Sequence, residues 1–319
     1  MKLAPAPFTE GRVRLPDGRR LGYAEFGDPD GEVLLWFHGT PGGRKQVPPA
    51  TPAAALERGL RVICVERPGV GLSTHHDGRT LATWTADIDA LADRLGIERF
   101  CVAGLSGGGP HALAVAHDLG DRVAGAAVLG GLGPVVGDEA PGGGLLDSPL
   151  VQGGARFLPL VQAPLGTMIS MLLPALIPVR NQVFGLYARF GPDTDRPVFA
   201  MPEFRDMFVK DLISSGRRQM RALVGDALVF MQPWHFSLRD VDVPVTIWHG
   251  GADRLVPVDH GRHMSELIPG AAFVTVPGEG HFAGFVRVDA VLDACMRWHA
   301  GEDAAHSDAS APADAAADG

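Results

Sequence analysis

Six short apolar runs, rich in Val, Ile, Leu and Ala, alternate along the chain with segments of helical periodicity. Runs of this kind are typical of strands that are buried on both faces. Their alternation with helices is typical of a mostly parallel sheet that is covered by helices. The runs lie at residues 33–37, 61–65, 100–104, 123–129, 245–249 and 272–276. The sequence therefore predicts an α/β fold built on a mostly parallel sheet.

The segment before these runs predicts a hairpin. Residues 13–15 and 21–26 flank a Pro-Asp-Gly turn, and turn residues of this kind between two apolar runs favour a hairpin. The two added strands bring the predicted sheet to eight strands. Apolar residues at helical spacing predict flanking helices at residues 86–95, 107–119, 260–267 and 286–299.

The alternation stops between Gly133 and His235. This interval has three consecutive glycines at 142–144, many prolines, and amphipathic segments at 204–213 and 220–231. We predict a helical lid at residues 133–235, inserted after the sixth strand into a core domain made of residues 1–132 and 236–300. Residues 157–179 are uncharged and long enough to suggest a membrane span, but their four prolines favour an apolar part of the lid.

The last residues, 301–319, are rich in Ala, Asp and Ser and contain no Lys or Arg. We predict a disordered acidic tail, because such a segment has too little apolar surface to repay the entropy of ordering. The tail carries five of the nine net negative charges. The rest of the chain is close to neutral, which gives it no electrostatic reason to bind nucleic acid or an anionic membrane. The start of the chain has no apolar segment of signal-peptide length, so a cytoplasmic location is predicted.

The sequence predicts neither a metal nor a cofactor. Cys64, Cys101 and Cys295 form an odd set without paired spacing, and the first two lie inside apolar runs, which favours buried reduced thiols. His260 and His263 have helical i, i+3 spacing, but no third metal ligand is evident. The glycines at 104–109 resemble a dinucleotide loop in shape, but no acidic residue ends a following strand at the required distance.

The strongest chemical signal is the sequence Gly104-Leu105-Ser106-Gly107-Gly108. It follows a predicted buried strand and opens a predicted helix, which is the setting of a nucleophile elbow. A sharp turn here would bring side chains two positions either side of the serine against neighbouring backbone, and glycines avoid that collision. The pattern predicts Ser106 as a nucleophile. The alternative is a glycine-rich loop with an incidental serine.

A nucleophilic serine needs a base, and the base needs an acid that holds its tautomer. Of the twelve histidines, His281 is the best candidate base because it follows the last strand in a glycine-rich loop. Asp253 lies just past the seventh strand and is the candidate acid. Asp138 and Asp226 are less suitable, since a glycine-rich segment and a lid helix should not hold them in a fixed position. The alternative for Asp253 is that it only caps a turn.

Four motifs, in this chain order, resemble the α/β-hydrolase-fold serine hydrolases of the carboxylesterase and lipase type. They are His38-Gly-Thr-Pro-Gly-Gly43, Glu66-Arg-Pro-Gly-Val-Gly-Leu-Ser73, the Ser106 elbow, and Gly250-Gly-Ala-Asp253 followed by Gly278-Glu-Gly-His281. The resemblance covers residues 11–299 apart from the lid. It implies the triad Ser106, Asp253 and His281, with the chain order expected for this fold. It also implies an oxyanion hole made by the backbone N–H groups of Thr40 and Gly107, with His38 in a structural role.

The expected function is that of a cofactor-free serine hydrolase that cleaves a carboxylic ester of a small hydrophobic substrate through an acyl-enzyme. The resemblance implies that Ser106 excludes epoxide opening and halide displacement, because relatives with those activities use an aspartate at the elbow. Gly107 and Thr40 also differ from the residues usual in proline iminopeptidases. Cleavage of an amide, a thioester, a lactone or a carbon–carbon bond, and perhydrolysis, stay open as alternatives, as does a non-catalytic ligand receptor on this fold.

Overall fold

The computed structural model describes residues 7–141, 178 and 180–302. Eight strands of the described chain form one sheet, in the order β1-β2-β4-β3-β5-β6-β7-β8. They are β1 (Thr9–Arg14), β2 (Arg20–Gly27), β3 (Glu32–Phe37), β4 (Leu60–Val65), β5 (Phe100–Leu105), β6 (Val123–Leu129), β7 (Val245–Gly250) and β8 (Ala272–Val276). Strand β2 is antiparallel to β1 and β4, and all other neighbours are parallel. The predicted eight-stranded, mostly parallel sheet is confirmed.

The two edges of the sheet differ from the prediction. Strand β1 begins at Thr9, four residues before the predicted start, and Leu15 lies outside it. Its first residues are polar and largely exposed, so an apolar run could not reveal them, and pairing with β2 defines the strand instead. Strand β8 was predicted to be buried on both faces, but most of its residues are only partly buried. An edge strand has one neighbour and is covered less completely.

Nine α-helices lie within the described residues. They are α1 (Thr51–Glu57), α2 (Leu81–Leu95), α3 (Gly109–Asp118), α4 (Arg180–Phe190), α5 (Arg196–Ala200), α6 (Pro202–Phe230), α7 (Val258–Leu267), α8 (Ala283–Val286) and α9 (Val288–His299). Helix α2 starts five residues before the predicted helix, because Thr80 caps it and exchanges hydrogen bonds with Thr83 in a capping box. The predicted helix at 286–299 is divided between α8 and α9. Helix α1 was not predicted, since its seven residues are too few to show a helical period.

The central strands divide the core into two layers, one on each face of the sheet. In β3, Leu35 and Phe37 belong to the apolar layer that includes residues of α2 and α3. Leu34 and Trp36 belong to the layer that includes residues of α1 and α9. This alternation follows from the two-residue period of a strand, and apolar burial on both faces fixes the strand register. The sheet is thus a rigid support for the loops at its edge.

Between β6 and β7, most of the described residues from 180 to 230 belong to the helices α4, α5 and α6. The amphipathic segments predicted at 204–213 and 220–231 are one continuous helix, α6, of 29 residues. The polar residues between the two segments interrupt the apolar pattern without interrupting the helix. The predicted apolar part of the lid, apart from Pro178, and the predicted tail beyond residue 302 lie outside the described residues. Among the described helices, none combines the length and apolarity needed to cross a membrane.

All three cysteines are buried and free of disulfide bonds, as predicted.

Candidate active site

The predicted site residues follow four strands that run parallel to one another. Thr40 follows β3, Ser106 follows β5, Asp253 follows β7 and His281 follows β8. Strands β3, β5, β6, β7 and β8 are successive parallel neighbours, so their carboxyl ends meet at one edge of the sheet. In open α/β sheets, ligands bind outside this edge. The sheet therefore gathers residues that lie more than 200 positions apart in the chain.

Ser106 lies on a tight turn between β5 and α3. Its φ of 53° is the only positive value at a residue other than glycine within the described chain. Such a conformation strains a residue that has a Cβ. A Cβ on Gly104 would overlap the carbonyl oxygen of Gly108, and a Cβ on Gly108 would overlap that of Phe37. The predicted steric role of the two glycines is confirmed.

Asp253 and His281 form a buried hydrogen-bonded pair. The Nδ1 atom of His281 lies 2.7 Å from Oδ2 of Asp253. The other carboxylate oxygen, Oδ1, accepts the backbone N–H groups of Leu255 (2.8 Å) and Val256 (3.0 Å). Burial raises the pKa of Asp253, but hydrogen bonds from His249, His281 and Val256 outweigh it and hold the pKa below its usual range. The carboxylate is therefore ionised and fixed in orientation.

The loop after β6 connects the surroundings of Ser106 and His281. Gly130 has a φ of 53°, and a Cβ there would lie 3.0 Å from the carbonyl oxygen of His281 and 3.3 Å from its Nδ1. Two residues on, the N–H of Leu132 donates to the carbonyl oxygen of Ser106 at 3.4 Å. No hydrogen bond joins the Ser106 hydroxyl to the His281 ring within the described residues. Sequence reasoning missed Gly130, although a glycine directly after a buried strand could have suggested a close backbone approach.

Thr40 and Gly107 face each other across the turn. A Cβ on Gly107 would lie 2.5 Å from Oγ1 of Thr40, so only glycine permits this approach. The backbone N–H groups of both residues have no acceptor among the described residues. His38 lies inside the same loop, where its Nδ1 donates to the carbonyl oxygen of Gly39 and its Nε2 accepts the N–H of Arg67. Burial and the nearby Arg67 hold the pKa of His38 well below its usual range, which suits the predicted structural role.

Asp226 corrects an expectation from the sequence, which held that a lid helix could not fix this residue. Asp226 lies on α6 and is buried between two arginines, with its Oδ2 2.8 Å from Nη2 of Arg67 and its Oδ1 2.7 Å from Nη2 of Arg79. Burial raises the pKa of Asp226, but Arg67 and Arg79 outweigh this effect and lower it. The carboxylate is held firmly, but its partners are Arg67, Arg79 and Thr40 instead of His281.

A second contact of the insertion reaches the loops of Asp253 and His281. The hydroxyl of Thr194 donates to the carbonyl oxygen of Ala252 at 3.3 Å. Next to it, Oδ1 of Asp195 accepts the N–H of Phe282 at 3.1 Å. The insertion thus contacts the residue before the candidate acid and the residue after the candidate base.

A pocket of about 320 Å³ opens above Ser106. Its floor contains Ser106, Gly107 and Thr40. Six apolar residues make up the remaining lining, namely Leu132, Leu223, Val224, Ala227, Phe230 and Val256. Four of these six belong to α6, so the helical insertion forms most of the apolar wall.

The model of the alpha/beta hydrolase fold family matches residues 32–288 of the chain, from β3 to the start of α9. The chain belongs to the α/β-hydrolase fold family. This assignment agrees with the strand order and with the turn at Ser106 described above.

Relatives of this α/β-hydrolase include enzymes with different substrates. A bifunctional esterase/perhydrolase of Acinetobacter calcoaceticus is 26% identical over 284 residues, covering 85% of this chain and 92% of the relative. A proline iminopeptidase of Xylella fastidiosa is 25% identical over 309 residues, covering 87% and 92% of the two chains. The crystal structure of a bromoperoxidase from Bacillus anthracis superposes with a TM-score of 0.68 at 19% identity, covering 92% of this chain and 100% of the other. The family and the two sequence relatives support hydrolase activity, and the bromoperoxidase structure shows that the fold is shared.

The α/β-hydrolase has two groups of possible metal ligands within the described residues, and both are distant from Ser106 in the fold. Cys101, Cys295 and His299 lie together, but Cys101 is at the opposite end of β5 from Ser106. The other group is His117, Asp118 and His235, in which Asp118 already accepts hydrogen bonds from both histidines. His260 and His263 instead hydrogen-bond the backbone of Gly133 and Glu139.

Asp211 is a second buried carboxylate on α6. It accepts the backbone N–H of Lys45 at 3.0 Å, and a Cβ on Gly43 would lie 3.0 Å from its Oδ1. Burial raises the pKa of Asp211 to about 7, and the nearby Glu66 acts in the same direction, while the N–H groups of Lys45 and Gly43 and the charge of Arg44 oppose them. Asp211 therefore attaches the insertion to the loop after β3, and burial in that position makes its carboxyl group harder to ionise.

We expect Asp211→Asn to change the pH dependence of stability. Since the pKa of Asp211 is about 7 in the folded protein and roughly 3.9 in the unfolded chain, the folded state binds the proton more tightly. Stability of the wild type therefore falls as pH rises from about 4 through 7, and asparagine removes this contribution. The Tm of the variant minus that of the wild type should increase between pH 5 and pH 8, by at least about 3 °C. Asp206→Asn is the control, because Asp206 lies on the same helix but is partly exposed. A Tm difference between Asp211→Asn and the wild type that stays the same from pH 5 to pH 8 would contradict the account.

Proposed function

We propose that this protein is a cofactor-free serine hydrolase that cleaves carboxylic esters of small hydrophobic substrates through an acyl-enzyme. One arrangement carries the proposal. The ionised Asp253 is hydrogen-bonded to His281, and at the same edge of the sheet Ser106 has a strained backbone conformation and lines an apolar pocket. A nucleophile, an oriented base and a hydrophobic pocket are the elements that ester cleavage needs.

In the first half of the proposed reaction, the Ser106 oxygen attacks the ester carbonyl while Nε2 of His281 takes the hydroxyl proton. Asp253 favours this transfer in two ways: it keeps the proton of the neutral ring on Nδ1, and its charge stabilises the imidazolium. The oxyanion of the tetrahedral intermediate accepts the N–H groups of Thr40 and Gly107. Hydrogen bonds of this kind are often long in an unliganded enzyme, and we expect the bond between Ser106 and His281 to form when substrate binds.

In the second half, the imidazolium returns its proton to the leaving alcohol as the carbon–oxygen bond breaks, which leaves the acyl group on Ser106. Water then attacks the acyl carbonyl while His281 takes a proton from it. Collapse of the second intermediate releases the acid and returns the proton to the serine oxygen. Each step uses the same two N–H donors, because negative charge develops on the same oxygen each time.

The pocket supports a small apolar substrate. At about 320 Å³, it lies at the low end of the range for small-molecule sites. The part of its lining that belongs to α6 has no charged side chain that could pair with a charged acyl group. We therefore propose that acyl chains of modest length are favoured over long chains and over amino acid residues.

A substrate panel tests this proposal. Purified protein is given p-nitrophenyl acetate, butyrate, octanoate and palmitate, a matched anilide of butyrate, a γ-lactone and the p-nitroanilide of proline. We expect the highest kcat/KM for the short esters. Turnover of the proline anilide well above that of every ester would instead assign the chain to peptide cleavage, as in its proline iminopeptidase relatives.

Phe230→Ala is expected to change the choice of acyl chain. The Phe230 ring closes the pocket beside Gly107, where its Cζ would lie 2.7 Å from a Cβ on that glycine. Its removal enlarges the site, and each additional methylene that gains contact can raise relative kcat/KM by roughly tenfold or more. The octanoate-to-acetate ratio of kcat/KM should rise at least about tenfold. Phe8→Ala, the same change at an exposed position, should leave the ratio unchanged, and a ratio that does not move in Phe230→Ala would place the acyl group elsewhere.

Perhydrolysis is a second candidate, favoured by the relative that is named a bifunctional esterase/perhydrolase. The proposed acyl-enzyme is the same, but hydrogen peroxide replaces water in the second half, so that the acid is released as a peracid. The esters of the panel are therefore assayed again with hydrogen peroxide, and peracid that depends on Ser106 would support this activity.

A further inference from the structure

Arg67 binds three consecutive residues in the loop after β3, two through their backbone carbonyl groups and the third through its side chain. Its Nη1 donates to the carbonyl oxygen of His38 at 2.5 Å, and its Nη2 donates to that of Gly39 at 2.9 Å. The same Nη2 lies 2.8 Å from Oγ1 of Thr40. Arg67 is 1% exposed, so these bonds form away from solvent. A planar guanidinium that binds several acceptors at once holds them in a defined geometry.

Asp226 holds Arg67 from the other side. Its carboxylate accepts from both Nε and Nη2 of Arg67, and its Oδ2 also accepts the hydroxyl of Thr40 at 3.1 Å. Asp226 therefore contacts Thr40 directly as well as through Arg67. Arg79 completes the cluster by donating to Oδ1 of Asp226 and to the carbonyl oxygen of Pro68.

We propose that Asp226 is a positioning residue for the oxyanion loop, and that through Arg67 and the Thr40 hydroxyl it fixes the backbone N–H of Thr40. This inference rests on the proposed function, because it needs an oxyanion at that N–H. It gives the helical insertion a role in rate enhancement beyond covering the pocket. Since α6 also supplies four of the six apolar lining residues, one helix both shapes the pocket and fixes an oxyanion donor.

The direction of the change in kcat in Asp226→Asn distinguishes a positioning role of Asp226 from an effect of its charge alone. Asp226 is the one anion of a buried cluster with two arginines, and replacing it with asparagine leaves more positive charge beside the oxyanion loop. By charge alone, Asp226→Asn would favour the oxyanion and raise kcat. A lower kcat in this variant therefore reports a displaced donor.

The test compares Asp226→Asn and Thr40→Val with the wild type on one short ester. Thr40→Val keeps the shape and the backbone N–H but removes the hydroxyl that Arg67 and Asp226 bind. We expect kcat to fall about 10- to 100-fold in each, with KM within a few-fold, because a small displacement of an oxyanion donor acts on the transition state. The Ki of an alkyl boronic acid, whose tetrahedral serine adduct places an oxygen at the oxyanion site, should rise by a similar factor.

Two further variants sharpen the comparison. Asp211→Asn is the matched control, because Asp211 is also a buried carboxylate of α6 bound to the loop after β3, but it contacts Lys45 and not Thr40. It should keep kcat near that of the wild type. The double variant Asp226→Asn/Thr40→Val should be no slower than the slower single variant, since both changes interrupt one path.

The inference fails if Thr40→Val and a folded Asp226→Asn both keep kcat within about threefold of the wild type, or if only their KM changes. It also fails if the loss of kcat in the double variant is the product of the two single losses. An equal loss of kcat in Asp211→Asn would also overturn it, because general loosening of α6 would then explain the data. If Asp226→Asn does not fold, the kcat of Thr40→Val and the Ki of the boronic acid for that variant test the inference. A Ser106→Ala variant that still cleaves the ester would instead show that the proposed function is wrong.

Discussion

Ser106→Ala is expected to lower kcat for a short p-nitrophenyl ester by about 10⁴- to 10⁶-fold, the range seen when a triad nucleophile is removed. Alanine has no oxygen with which to form the acyl-enzyme. The other hydroxyl of the pocket lining, that of Thr40, is hydrogen-bonded to Asp226 and Arg67 and has no histidine base among these partners. Binding should persist, since the lining is otherwise unchanged. The measurement is ester hydrolysis by variant and wild type at equal concentration, with product binding followed separately.

The fold of Ser106→Ala is expected to be intact, because alanine keeps the Cβ and therefore keeps the strain of a positive φ. Its Tm should stay within about 2 °C of that of the wild type. Ser106→Gly should be inactive as well but more stable, by roughly 1 kcal/mol, since glycine adopts this conformation freely. Ser265→Ala on α7 is the matched control for a serine away from the pocket. Near-normal turnover in Ser106→Ala would contradict the assignment.

Asp253→Asn is the second change with a large expected effect. Because Leu255 and Val256 both donate N–H groups to Oδ1, the asparagine oxygen is expected to stay on that side. Its NH₂ group then faces Nδ1 of His281, which must become an acceptor and leave the ring proton on Nε2. A ring with its proton on Nε2 cannot accept the proton of Ser106. We therefore expect kcat to fall by about 10⁴-fold, as in a serine protease with the same change.

The outcome for Asp253→Asn is judged against Asp259→Asn, an exposed aspartate on α7 that should behave as the wild type. Asp226→Asn is informative only with a check on folding. Its carboxylate lies between two arginines, and a neutral amide in its place leaves their buried positive charges without the carboxylate that compensates them. If Asp253→Asn stays within a few-fold of the wild type in kcat, the acid belongs elsewhere.

Much of the fold could be predicted from the sequence because the central strands have a strong apolar pattern. Residues buried on both faces of β5 and β6 are apolar or glycine throughout, and such runs are hard to mistake for loops. The polar edge strand β1 and the short helix α1 have no such pattern. Strand β1 is defined by its pairing with β2, and α1 by its packing against β2, β4 and α9. Helix α6 was predicted as two separate segments, because polar residues interrupt its apolar pattern although the helical backbone is continuous.

The candidate site could be predicted where its residues follow a strand, and could not where partners come from the insertion. Ser106 and the Asp253–His281 pair lie a few residues beyond strand ends, so the strand pattern indicates their positions. The link from Asp226 to Arg67 joins residues 159 positions apart, on α6 and in the loop after β4. Nothing in the local sequence of either residue indicates the other. The glycine at 130 is explained by its positive φ and by the backbone and ring of His281 that pack against it, and His281 is 151 positions away in the chain.

The central claim is that Ser106 forms a covalent bond with the substrate carbonyl. A fluorophosphonate probe with site mapping by mass spectrometry tests it most directly, because the probe forms a stable adduct only with an activated serine. We expect one adduct per chain on the peptide that contains Ser106, no labelling of Ser106→Ala, and much slower labelling of Asp253→Asn. An adduct on any other residue, or equal labelling of Ser106→Ala, would contradict the account.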